Sequence, residues 1–226
     1  RLIGSLSKLL PPGESLAAAG TDDLKFVESR PMGANFVLDG VWSQLGSDKT
    51  MRRLLKGRRL DPKTERVLFA LVANRAVDPG SKLAATGWVS ARTHVPGLAE
   101  LDSDSCYRAM DWLLECETEL AESVYWATAD LLNLEVDLLF FDTTSTYFET
   151  PTADEPADGA TVGFRTWGKS KDHRKDLPQI VIGMAVTRTG IPVRVWSWPG
   201  NTNDQALIRQ VKDDLADWRL GHVIWV

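Results

Sequence analysis

Residues 138–150, LLFFDTTSTYFET, begin as an apolar run, are interrupted by one acid, Asp142, and continue with hydroxyl and aromatic side chains. Three short apolar stretches, VDLLFF, LPQIVIGMAVT and IPVRVWSW, are each bounded by polar or turn residues, and each predicts a strand. Residues 187–190, TRTG, predict a hairpin turn between the second and third, with Gly190 where positive φ is needed. The period then lengthens. Ala206, Ile208, Val211, Leu215 and Trp218 form an apolar stripe and predict an amphipathic helix over about 205–219. HVIWV, residues 222–226, predicts a further strand beside the first. Residues 135–226 thus read β, long loop, β, β, α, β.

The first half has a helical pattern. Residues 1–35 are rich in Gly, Pro, Ser and Ala and predict a mobile arm or linker that has room for one short helix. Residues 36–56 carry apolar positions at mixed spacing and read as weak helix. From Asp61 the signal sharpens: Asp61 is placed to cap and Pro62 to open a helix whose Leu68, Leu71 and Val72 share a face. Asp78, Pro79 and Gly80 end it, and a short helix is expected over about 81–89. Residues 101–133 predict two helices broken near Cys116, capped by Ser103 or Asp104. Met110, Leu113 and Leu114, then Leu120, Val124 and Ala127, are their apolar positions. The expected organisation is an arm at 1–35, a helical region at 36–134 and an α/β region at 135–226. Arg1 at the start and an apolar strand at the end lead to the expectation of a fragment.

Composition adds constraints. The 226 residues are 43% hydrophobic and 25% charged, enough for a sizeable core. Cys106 and Cys116 match no zinc or redox spacing and predict free thiols in a reducing cytoplasm. No apolar run is long enough to span a bilayer. The net charge of −5 argues against a generally basic DNA-coating protein. Its distribution is uneven: Arg108 is the only Lys or Arg in acid-rich 101–160, whereas 1–60 and 161–180 are basic. A nucleic-acid partner therefore requires that basic segments share a face. The acids of 101–130 read as a solvated helix face.

Asp142 raises the chemical question. A carboxylate after an apolar strand costs several kcal/mol of desolvation unless it is paired or ligates a metal. One reading is an ordinary strand-end Asp that accepts from the amides of Thr144 and Ser145. Another is one member of a carboxylate set that binds two divalent ions for phosphodiester chemistry, with Mg²⁺ or Mn²⁺ suited to hard oxygen ligands. The order of three strands, a helix and a strand suits such a nuclease core.

FDTTSTYFE, followed by WGKSKDHRKDLPQIVIGMAVTRTGIPVRVWSWPGNTNDQ, resembles the catalytic domain of DDE transposases of bacterial insertion sequences. The likeness extends over about residues 60–226 and is most specific over 139–205. It implies an α/β fold: a helical N-terminal region, then the first half of a ribonuclease H-like mixed sheet. It also implies DNA as partner, at transposon ends and target, with homo-oligomers in the complete enzyme. Asp142 matches the first catalytic, metal-binding acid of that family. The second acid would follow HVIWV and the third would lie further on, so this chain is expected to be inactive alone.

Lys169, Lys171, His173, Arg174 and Lys175 crowd the loop before the second strand. They read as a phosphate-gripping loop or as solvated charges balanced by Asp172 and Asp176; His173 as a metal ligand is the weaker alternative. Asp204 reads as a helix cap ahead of a second catalytic acid. Trp196 and Trp198 share a sheet face with Arg194, for core packing or base stacking. Arg52, Arg53, Lys56, Arg58 and Arg59 form a second basic cluster, for DNA contact or as a solvated helix end.

Overall fold

The computed structural model describes residues 28–132, 139–157, 159–216 and 218. It is an α/β arrangement of N-terminal helices followed by a small antiparallel sheet. Helices α1 (Gly33–Gln44), α2 (Ser47–Leu55), α3 (Thr64–Val77) and α4 (Lys82–Gly87, continued by a π-helical turn Trp88–Arg92) precede the long α5 (Ser103–Leu131). Strands β1 (Leu139–Tyr147), β2 (Gln179–Thr187) and β3 (Pro192–Pro199) lie side by side in that order, and α6 (Asp204–Ala216) follows. The expected strand at 222–226 and most of the expected arm lie outside the described residues.

The weak helix expected over 36–56 is two helices. Gly46, at φ 67°, sits between them in a left-handed conformation that costs glycine nothing. The first begins at Gly33, inside the segment expected to be an arm. The third starts at Thr64 rather than Pro62: Asp61 accepts from the Lys63 amide at 2.7 Å in a preceding turn. Its apolar face also differs. Leu68, Phe69, Ala70 and Ala73 are buried, whereas Val72 is half exposed, because α1, α2, α4 and α5 surround the helix on its other sides.

Helix α5 is one 29-residue helix, not two. Cys116 does not break it; its side chain is buried in the stripe Cys106, Ala109, Trp112, Cys116 and Leu120, and neither Gly nor Pro interrupts the run. Leu114, expected in the stripe, is 77% exposed. The cap is Asp102, whose carboxylate accepts from the Ser105 amide at 2.8 Å, one residue before the expected position. Both cysteines are free thiols, and burial pushes each of them up from its ordinary pKa.

Two apolar cores meet on this helix. Its first half packs with Met51, Phe69, Trp88 and Val95. Further on, Tyr125 and Ala129 join Leu139, Phe141, Val181, Trp196 and the α6 residues Leu207, Val211 and Leu215. Helix α5 is therefore the spine joining helices to sheet. Its acids point outward, as expected, and two are paired: Glu119 with Arg53 at 3.3 Å and Glu115 with Arg58 at 3.1 Å. Arg52 reaches Glu65 at 3.4 Å and Asp48 at 3.6 Å. Most of the second basic cluster thus ties α2 to its neighbours.

The hairpin is as the sequence predicts, with Gly190 at φ 84° and its amide donating to the Thr187 carbonyl at 2.9 Å. Trp196 and Trp198 lie under α6, where their indole N–H groups donate to Asp214 and Gln210, each at 2.9 Å. They are core residues. No helix among the described residues is long and apolar enough to cross a membrane.

Candidate functional site

Asp142 is not at a strand end. It is the fourth residue of nine-residue β1, opposite Met184 of β2. The strand continues because Thr143, Thr144 and Thr146 are β-branched and the whole segment to Tyr147 finds partners on β2 down to Gln179. Period-two alternation then divides the side chains. Leu139, Phe141, Thr143 and Ser145 point to the covered face, while Phe140, Asp142, Thr144 and Thr146 point to the open one. The carboxylate therefore stands on an exposed sheet face, in a groove of about 590 Å³ whose wall includes Phe140, Thr144, Ile182, Met184 and Val195. Exposure removes the desolvation cost that the sequence position implied.

The local partner of Asp142 is the amide of the next residue. Its Oδ1 accepts from Thr143 N–H at 2.7 Å, in place of the expected amides of Thr144 and Ser145. The remaining polar groups of Thr143 face Lys171. The ammonium of Lys171 donates to the Thr143 carbonyl and, at 3.0 Å, to Thr143 Oγ1. The Lys171 amide donates to Ser145 Oγ at 3.0 Å. The loop thus lies against β1, at one end of the three described strands.

Residues 170–174 form a tight turn around Ser170, which is buried and accepts at Oγ from the amides of Asp172 and Arg174 at 3.2 and 3.1 Å. His173 sits in its left-handed corner at φ 60° with its side chain exposed. Arg174 packs over the Tyr147 ring, 5.2 Å from its centroid, and forks onto both oxygens of Asp176 at 2.9 and 2.8 Å. That hydrogen-bonded pairing raises the arginine further above its ordinary pKa and lowers the Asp176 carboxyl. The five basic residues divide accordingly. Lys171 and Arg174 bond to the fold, although Lys171 is itself an exposed residue, as are Lys169, His173 and Lys175.

Close backbone contact fixes the loop's other end. Thr166 and Gln179 exchange both backbone bonds, at 3.1 and 2.9 Å, and the buried Gln179 side chain donates to the Gly200 carbonyl at 3.0 Å. This joins the turn before α6 to the basic segment. That turn is closed by Asn203, which accepts from the Gln205 amide at 3.2 Å, and α6 begins at Asp204, one residue before the expected start. Trp167 and Phe164 are exposed beside this junction, a pairing of aromatics with basic residues that the sequence reading did not weigh. Their closeness to Lys169 in sequence was the available signal.

Among the described residues no three His, Cys, Asp or Glu side chains converge, so Asp142 does not complete a Mg²⁺ or Mn²⁺ site with them. A larger cleft of about 1340 Å³ lies in the helical region, but acids and bases alternate along it, including Arg59, Lys63, Glu100 and Asp102. It carries no single sign of charge. Comparison of the chain with protein-family models, curated proteins and solved structures finds no match.

Proposed function

We propose that this chain is part of a DDE-type DNA transposase, with β1–β3 and α6 as the opening half of a ribonuclease H-like core. The observation that carries this reading is the position of Asp142: an exposed carboxylate on the open face of the first strand, with a basic loop bound to the same strand. The three-strand antiparallel order followed by a helix agrees with it. The resemblance supplies the chemistry: hydrolysis of a phosphodiester at the element's end, then attack of the freed 3′-hydroxyl on target DNA. In this reading Lys169, His173 and Lys175 hold backbone phosphates, and Asp142 faces the strand so held.

A second reading is a DNA-binding chain without catalysis. It is favoured by the lack of any converging acid set among the described residues. The two separate in one experiment. Duplex DNA binding is followed by fluorescence anisotropy across a salt series, and Mn²⁺-dependent cleavage of the same duplex is scored for the 226-residue chain, for a chain extended to include the second and third acids, and for Asp142→Asn in the extended chain. Cleavage by the extended chain that Asp142→Asn abolishes supports the transposase reading. Salt-dependent binding with no cleavage by the extended chain supports the second reading. Failure to bind duplex DNA even at low salt overturns both.

A further inference from the structure

We propose that Lys171 is a positioning residue for Asp142, acting through Thr143, and not a phosphate contact; this rests on the assignment of Asp142 to the functional site. Thr143 lies on β1, at one end of the three described strands, and both of its backbone polar groups are met by charged side chains. The Asp142 carboxylate takes its N–H at 2.7 Å, and the Lys171 ammonium takes its C=O. A second bond from the same ammonium to Thr143 Oγ1 fixes the side-chain rotamer as well. Lys171 is anchored in turn by its own amide on buried Ser145, two residues along the strand. One lysine thus spans residues 143 and 145 from the loop side.

The consequence is directional. The N–H and the C=O of Thr143 belong to successive peptide planes that pivot at its Cα, so a lysine that holds the C=O and Oγ1 restricts that pivot, and with it the carboxylate bonded to the N–H. Bonds with an ionised partner are the shorter and stronger class, which suits this task. An ammonium with these two acceptors has spent two of its three donors on Thr143. Lys171 is itself exposed, like Lys169 and Lys175 on either side in the loop; its bonds to Thr143 and Ser145 set it apart. The loop therefore divides its labour: its middle lysine orients the strand, and the flanking lysines face outward.

The test uses the full 226-residue chain as wild type, Lys171→Met, Lys171→Arg, Lys175→Ala and Thr143→Val. Amide exchange and ¹H–¹⁵N shifts of Thr143, with the ¹³C shift of the Asp142 carboxyl, are read by NMR. Lys171→Met is expected to speed Thr143 exchange about tenfold, the factor for losing a hydrogen bond to a charged group, and to move the Asp142 carboxyl signal. Lys171→Arg is expected to restore both in part, because a guanidinium can reach the same carbonyl. Lys175→Ala should change neither. Thr143→Val removes only the hydroxyl acceptor and should give a smaller change of the same sign, which decides the matter if Lys171→Met does not fold. In anisotropy titrations the salt slope should stay at the wild-type value in Lys171→Met. Unchanged Thr143 and Asp142 signals in Lys171→Met, or in Thr143→Val if that is the variant available, overturn the proposal, as does a slope that falls as it does in Lys175→Ala. Should no variant bind DNA, the functional reading fails, and the NMR signals still decide the role of Lys171.

Discussion

Gly168 lies so close to Gly200 that a Cβ built on it would stand 1.8 Å from the Gly200 carbonyl oxygen and 2.8 Å from the Gln179 side-chain amide. Neither residue is special in sequence. Together they let the basic loop and the turn before α6 meet backbone to backbone, with Gln179 bonded between them.

Gly168→Ala is expected to destabilise the chain by about 3 kcal/mol, the upper end for overpacking, because the obstructing atom is backbone and cannot swing aside. Gly40→Ala is the comparison. Gly40 is in α1 with nothing within 4 Å of the added methyl, so the change should stabilise by up to about 1 kcal/mol. Urea denaturation of the two variants gives opposite shifts in midpoint; a neutral Gly168→Ala would mean that the loop does not dock on the turn.

Arg194 ties the sheet to both helices that cover it. Its guanidinium donates to Thr118 Oγ1 of α5 and to the Asp214 carbonyl of α6, each at 3.3 Å, and lies over the rings of Trp196 and Trp218 at 5.3 and 5.7 Å. Arg194→Met keeps much of the length but removes the donors and the charge over the rings. The expected loss is about 2 kcal/mol. Thermal melting of Arg194→Met and Arg194→Lys should show a drop in both, since an ammonium cannot reproduce a planar fork that reaches two helices. A wild-type melting temperature in Arg194→Lys would contradict the clamp.

Glu65 is only 2% exposed, yet it is ionised within a network: it accepts from Trp42 Nε1 at 2.8 Å and from Arg66 Nε at 3.0 Å, with Arg52 at 3.4 Å. Burial alone would raise its carboxyl; the hydrogen bonds from Arg66 and Trp42 and the two arginine charges outweigh this and hold it below the ordinary 4.5. A depressed carboxylate stabilises the fold above its unfolded pKa, and that contribution is lost as pH falls through the folded value. Glu65→Gln should therefore cost roughly 3 kcal/mol at neutral pH, since it removes the buried charge that Arg66 and Arg52 share and leaves Arg66 with Asp39 alone. The gap between wild type and variant should narrow only below about pH 4.5. Chemical denaturation from pH 3 to 7 tests this; a gap that narrows on the alkaline side would reverse the assignment.

In a salt series on duplex DNA, Lys169→Ala and Lys175→Ala should each lower the slope of log affinity against log salt by about 0.9, the value for one phosphate contact. The sequence preference should not change, because phosphate contacts carry no base information. Slopes that stay at the wild-type value would place the loop away from the DNA backbone.

The bounded apolar runs VDLLFF, LPQIVIGMAVT and IPVRVWSW gave the three strands, and Gly190 gave the turn, because short apolar runs and positive φ are local properties of the chain. The periodicity around Val211 and Leu215 gave α6 for the same reason, and the tryptophans of β3 found their place beneath it; of the expected stripe, however, Ala206 and Ile208 are exposed, and Leu207 is buried instead. Other features needed the whole fold. That Asp142 sits mid-strand depends on residues 143–147 finding β2 some forty positions later. Continuous α5 depends on Cys116 being buried by helices from upstream, which no local break signal could announce. The division of the basic loop, with Lys171 turned to Thr143, Arg174 paired with Asp176 and Lys169 and Lys175 facing water, is invisible in GKSKDHRKD. A string of like charges fixes the field near a segment, but each side chain's partner depends on which distant backbone groups the fold leaves within reach.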